Sequence, residues 1–115
     1  MKLMLPTEIP IMGQIVKISY QEELDLDGEE LAGACMAGDN LIMISTTEHE
    51  TEKEILKTLG HELVHFVWAK SGLTHILGEH EEPCTVSIEE NLLPLFRFDR
   101  RRWRKKIEVT IGNQD

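Results

Sequence analysis

The run His61-Glu62-Leu63-Val64-His65 constrains this chain more than any other feature, because it sets two imidazoles four residues apart. On a helix, that spacing places both histidines on one face, one turn apart, with the Glu62 carboxylate beside the first. Two neutral imidazoles bind a zinc ion well but leave it under-coordinated, so a third protein ligand is needed and a fourth position stays open for water. The motif therefore predicts a helix that carries His61 and His65 as metal ligands and Glu62 as a general base.

The surroundings of the motif indicate a helix over residues 48–71. Two overlapping capping boxes, Ser45 with Glu48 and Thr47 with Glu50, precede its apolar part. Gly72 follows as a residue suited to the left-handed conformation in which many helices end. Apolar residues recur with the helical period at Ile55, Leu56, Leu59, Leu63, Val64, Phe66 and Val67. The alternative interpretation is an ordinary amphipathic helix with two surface histidines.

The third metal ligand has several candidates downstream of the motif. The pattern of one zinc-peptidase class, with Gly at position 68 and His at 71, is excluded because Trp68 and Ser71 stand there. The histidines and carboxylates that come next are His75, Glu79, His80, Glu81 and Glu82.

A second helix is predicted to begin at Pro83, because proline suits the first position of a helix. Glu82 would then be its N-cap and would offer a carboxylate to the two histidines of the first helix. The residues that continue with helical spacing are Cys84, Ile88, Leu92, Leu95 and Phe96.

With these motifs the chain resembles the small gluzincin-like metallopeptidases of phage and prophage type, which are distantly similar to the ImmA/IrrE group. The resemblance covers residues 13–98. It depends on Gly33, the strand 41–44, the segment 58–65, Ser71-Gly72-Leu73, and Glu81-Glu82 followed by Ile88 and Leu92. Pro83 departs from the family pattern.

The resemblance implies a specific site. Glu82 is implied as the third zinc ligand, because Thr85, Ile88 and Leu92 match the family spacing from it, and Glu81 is the reserve. An extended peptide substrate is implied at a sheet edge, for which the strand 41–45 is the candidate. A residue that stabilises the transition state is not assigned among His75, His80 and Tyr20.

Strands are predicted around the two helices. Residues 14–20 alternate and are rich in β-branched side chains, and residues 31–36 and 41–44 flank a turn at 37–40 that contains Gly, Asp and Asn. We therefore expect an α+β protein with a minimal zincin-like fold, in which a small, mainly antiparallel sheet packs against the HExxH helix and the Glu-bearing helix. A single domain over residues 1–115 is expected.

The charge is divided unevenly along the chain. Residues 1–96 hold 5 basic and 18 acidic residues, whereas residues 97–115 hold 7 basic and 3 acidic ones. An acidic body disfavours nucleic-acid binding. The basic segment 97–106 could grip phosphates, but we favour a solvated end of the second helix whose cations offset the acidic body. Residues 107–111 alternate like a short strand, which either returns to the sheet edge or pairs with another chain.

Targeting signals, membrane segments and cysteines indicate the compartment of a chain and limit its function. No targeting segment is evident, no run of 18 apolar residues occurs, and the two cysteines fit a reducing compartment, so we expect a cytoplasmic protein without a membrane partner. The leading hypothesis is a zinc metallopeptidase that acts on a peptide or protein substrate. The alternative is a zinc-stabilised interaction module or phage accessory protein with little or no peptidase activity. The sequence does not indicate the oligomeric state.

Overall fold

The computed structural model describes residues 1–96, 98 and 100–112. Within them the strands are β1 (Lys2–Pro6), β2 (Glu8–Ile11), β3 (Gln14–Gln21), β4 (Asp25–Leu26), β5 (Glu29–Glu30), β6 (Gly33–Met36), β7 (Leu41–Ser45) and β8 (Lys106–Thr110). The α-helices are α1 (Glu52–Lys70), α2 (Leu73–Leu77) and α3 (Glu81–Asn91). The protein is thus α+β, as expected. None of the helices in these residues is both long and apolar enough to span a membrane.

The central sheet has four strands in the order β2-β3-β7-β6. The pairs β2–β3 and β6–β7 are antiparallel, and β3–β7 is parallel. The turn between β6 and β7 confirms the predicted hairpin, with Asn40 in the left-handed conformation at a φ of 51°. The side chains that face α1 alternate along the two inner strands and are buried: Val16, Ile18, Ile42 and Ile44.

The position of β7 in this order corrects one expectation. The strand 41–45 is hydrogen-bonded on both sides, to β3 and to β6, so it offers no free edge. The edge next to α1 is β6. Strand order is a long-range property that the local pattern of residues 41–45 does not contain.

Helix α1 confirms that the HExxH motif lies on a helix, but it begins later than expected. Its N-cap is Thr51, whose side chain accepts a hydrogen bond from the Glu54 amide. The predicted capping boxes are wrong, because the hydroxyls of Ser45 and Thr47 both bond to the Glu22 carbonyl just beyond β3. The helix stops before Gly72, which has a φ of 74° as predicted. Its sheet-facing side is buried at Ile55, Leu59, Glu62 and Phe66.

Helix α3 differs from its prediction at both ends. Its first residue is Glu81, so Glu82 lies inside the first turn and is not the N-cap. Pro83 is tolerated there because the amides of the first turn have no partner within the helix. The helix ends at Asn91 and is followed by a 3-10 turn, Leu93–Leu95, instead of continuing through Phe96.

The basic segment is therefore not the end of the second helix. Arg97 and Asp99 lie outside the described residues. Arg100 forms an ion pair with Glu52 of α1, Lys105 lies 3.4 Å from Glu8, and Trp103 is buried. These contacts agree with the expectation that its cations offset the acidic body.

The C-terminal strand pairs with the N-terminal one. Strands β1 and β8 form a two-stranded antiparallel sheet with Leu3 opposite Val109. The strand predicted over residues 107–111 is present at Lys106–Thr110, but it pairs with β1 in a separate sheet instead of returning to the edge of the central sheet. The Tyr20 hydroxyl donates to the Pro6 carbonyl at 2.7 Å and ties this sheet to β3.

Candidate metal centre

Helix α1 presents His61 and His65 on one face, as their spacing predicts. Their ring centroids lie 4.9 Å apart with an interplanar angle of 62°. The two side chains are 18% and 16% exposed. Both rings are therefore largely enclosed but can still be reached from solvent.

The Nε2 atoms of both histidines converge on Glu82. His61 Nε2 lies 3.0 Å from Oε1 of Glu82, and His65 Nε2 lies 2.8 Å from Oε2. One ligand atom from each of the three residues can be chosen so that all lie within 4.8 Å of one another. Tetrahedral ligands at about 2.0–2.1 Å from a zinc ion are roughly 3.3–3.4 Å apart, and the two distances to Glu82 are somewhat shorter than this. The three residues predicted as ligands are thus brought together and could hold a metal ion.

The opposite nitrogens of the two rings also contact carboxylates. His61 Nδ1 lies 2.7 Å from Glu89 Oε2, and His65 Nδ1 lies 2.5 Å from Glu81 Oε2. Glu81, considered as the reserve ligand, is therefore on the far side of the ring from Glu82. Glu89 was missed in the sequence, although it lies seven residues after Glu82 and so on the same side of a helix.

The start of α3 is anchored against α1 by a fully buried threonine. The Trp68 indole donates to the Thr85 hydroxyl at 3.0 Å, and that hydroxyl donates to the Glu81 carbonyl at 2.8 Å. Thr85 is the residue that the family spacing placed three positions after the ligand. Its contacts explain why a small polar side chain stands there, since they fix the first turn of α3 beside the histidines.

Glu62 lies between α1 and the edge strand β6. It is 8% exposed. A Cβ built on Gly33 would lie 3.2 Å from the Glu62 Cγ, so only glycine lets the strand approach this closely. Burial raises the pKa of Glu62 above its ordinary value, against the opposing effect of His61 and His65. The raised pKa makes this carboxylate a stronger base than an exposed one.

Other groups near the site also have shifted pKa values, among them His65 and Cys35. Burial alone would lower the pKa of His65, but its hydrogen bond with Glu81 and the nearby charges of Glu62 and Glu82 outweigh burial and raise it. Burial, reinforced by Glu62 and Glu81, raises the pKa of Cys35 in β6 to about 11. The Cys35 thiol therefore stays protonated at neutral pH and is a poor metal ligand.

The other candidates for chemistry have different roles. His49 is buried and joins β7 to α1, with Nδ1 donating to the Ser45 carbonyl at 2.7 Å and Nε2 at 2.7 Å from the Thr58 hydroxyl. The His80 side chain is 73% exposed and lies 3.9 Å from Glu79. The Tyr20 hydroxyl is bonded to Pro6. These contacts give no support to His80 or Tyr20 as a transition-state donor.

The chain was compared with known proteins. No protein-family model, curated protein or solved structure matches it.

Proposed function

We propose that the protein is a zincin-like, zinc-dependent peptidase in which His61, His65 and Glu82 hold the metal and Glu62 is the general base. One observation carries the proposal: two Nε2 atoms of an HExxH helix converge on a carboxylate from a second helix. Two imidazoles and one carboxylate are a donor set of catalytic zinc sites, in which three protein ligands leave one position open.

A bound zinc ion supplies Lewis acidity, which polarises a carbonyl and lowers the pKa of a water molecule toward about 7. Glu62 accepts the proton of the attacking water on its carboxylate and passes it to the leaving amine. Its burial favours uptake of the proton from the water, because a carboxylate with a raised pKa is a stronger base. Glu82 has a 60% exposed side chain, so the site is open to solvent on that side.

The free edge of β6 is the proposed docking strand for the peptide. Ser45 donates its amide to the Ala32 carbonyl, so the alternate pairs 34–43 and 36–41 exchange hydrogen bonds with β7. Gly33 and Cys35 therefore direct their backbone groups away from β7. Because Gly33 also packs against Glu62, a peptide added to this edge would pass beside the general base.

A second candidate function is the zinc-stabilised interaction module. It is supported by the burial of Glu62, since a general base must reach the water that it deprotonates. In this alternative, zinc would join α1 to α3 and stabilise a small core.

Substitution of Glu62 distinguishes the two candidates. Glu62→Gln should keep the fold and the zinc but lose hydrolysis of a broad peptide library, because an amide cannot accept the proton. The expected loss is at least about 10²-fold. Glu79→Gln is the matched control, since its side chain is 90% exposed. If Glu62→Gln cleaves as fast as wild type, Glu62 is not the base, and if wild type cleaves nothing while binding zinc, the interaction module is favoured.

A further inference from the structure

We propose that Glu81 and Glu89 are positioning residues that orient the two histidines of the metal centre. Each accepts the Nδ1 proton of one histidine and thereby leaves its Nε2 atom for the metal. The inference rests on the proposed zinc site and adds two residues that the HExxH motif does not contain.

The contact between Glu89 and His61 is enclosed and supported. The Glu89 side chain is 15% exposed, and its Oε2 lies 2.7 Å from His61 Nδ1. Its other oxygen lies 3.8 Å from the Lys57 ammonium group, one turn before His61 on α1. Lys57 therefore helps to hold the Glu89 carboxylate in the orientation that meets the ring.

The contact between Glu81 and His65 is similar. The Glu81 side chain is 18% exposed, and its Oε2 lies 2.5 Å from His65 Nδ1. The Glu81 backbone carbonyl accepts a hydrogen bond from the Thr85 hydroxyl at 2.8 Å, so the main chain of this residue is held in place.

The arrangement separates two kinds of carboxylate. Glu82 faces the Nε2 atoms of both rings, whereas Glu81 and Glu89 each face one Nδ1 atom from the opposite side. An imidazole that binds a metal through Nε2 carries its proton on Nδ1, and a carboxylate that accepts this proton fixes the tautomer and the ring orientation. The carboxylate also makes Nε2 a stronger electron-pair donor to the metal. Loss of such a partner typically weakens metal binding by about 10–100-fold.

Zinc affinity is the first measurement. Competition with a chromogenic chelator at neutral pH should show about 10–100-fold weaker binding for Glu81→Leu and for Glu89→Leu. Glu81→Gln and Glu89→Gln should fall between these and wild type, because the glutamine carbonyl can accept the same hydrogen bond without the charge. Glu79→Gln is the matched control, since its side chain is 90% exposed and its carboxylate lies 3.9 Å from His80, away from both histidines of the site. It should bind zinc as wild type does.

Nuclear magnetic resonance separates orientation from general stability. In the zinc-loaded wild type, each metal-bound histidine should give a protected Nδ1–H signal. Glu89→Leu should remove the signal of His61 and keep that of His65, and Glu81→Leu should do the reverse. The absorption bands of the cobalt-substituted protein should shift in both variants. Thermal unfolding of the zinc-free variants shows whether they fold, and the glutamine variants replace any leucine variant that does not.

The outcomes distinguish this inference from the proposed function. If wild type binds zinc but the leucine variants match it in affinity and keep both Nδ1–H signals, the positioning role is wrong and the zinc site stands. If wild type binds no zinc, both proposals fail.

Discussion

Replacing Gly33 with alanine tests the close packing of β6 against the HExxH helix. A Cβ at this position would lie 2.8 Å from the Thr58 Cγ2, 3.2 Å from the Glu62 Cγ and 3.3 Å from the Ile44 Cδ1. None of the three neighbours can move freely, because Thr58 is bonded to His49, Glu62 is buried and Ile44 is fully buried. Overpacking of this kind costs about 1–3 kcal/mol. The gain of about 0.4–1 kcal/mol from a less flexible unfolded chain offsets part of it.

We therefore expect Gly33→Ala to lower the free energy of unfolding by about 1.3 kcal/mol, the difference between the midpoints of these two ranges. Urea denaturation should show a lower midpoint with an unchanged slope. Gly38→Ala is the control, because nothing lies within 4 Å of a Cβ there. Equal midpoints for the two variants would refute the close approach of β6 to α1. In the peptidase account, Gly33→Ala also loses hydrolysis, because it displaces Glu62.

Three more predictions concern the ligands, pH and the small sheet. Glu82→Ala should weaken zinc binding far more than Glu81→Ala, measured by chelator competition, and the reverse order would make Glu81 the ligand. The raised pKa of His65 stabilises the zinc-free fold below the ordinary histidine pKa of about 6.5, and this contribution is lost as pH rises through the raised value. With saturating zinc the trend should reverse, because protons compete with zinc for His65 at low pH. Melting temperatures that change with pH in the same way in the zinc-free and the zinc-saturated protein would contradict this. Tyr20→Phe should cost about 1–2 kcal/mol in urea denaturation by leaving the Pro6 carbonyl unpaired, and an unchanged midpoint would mean that this bond contributes nothing.

The helical part of the site was predictable because its determinants are local. The period of Ile55, Leu59 and Phe66 defines the buried side of α1, and the motif spacing then places His61 and His65 together on another side. The family resemblance implied that Glu82 lies near the two histidines, and the structure brings these three residues together.

The predictions that were wrong concern features that depend on contacts between residues far apart in the sequence. The Ser45 and Thr47 hydroxyls could have capped a helix, but both donate to the Glu22 carbonyl just beyond β3, and Thr51 is the N-cap instead. The edge strand was misassigned because β7 pairs in parallel with β3, which nothing in either segment reveals. Glu89 was not predicted as a site residue because its contact with His61 forms only when α3 packs against α1.

The metal content of the purified protein tests the central claim most directly. Elemental analysis of protein prepared without added metal should find close to one zinc per chain, because His61, His65 and Glu82 could hold a metal ion and two imidazoles with a carboxylate suit zinc. His61→Ala and His65→Ala should lose that zinc. A well-folded wild type that contains no zinc and takes up none when it is supplied would contradict the account.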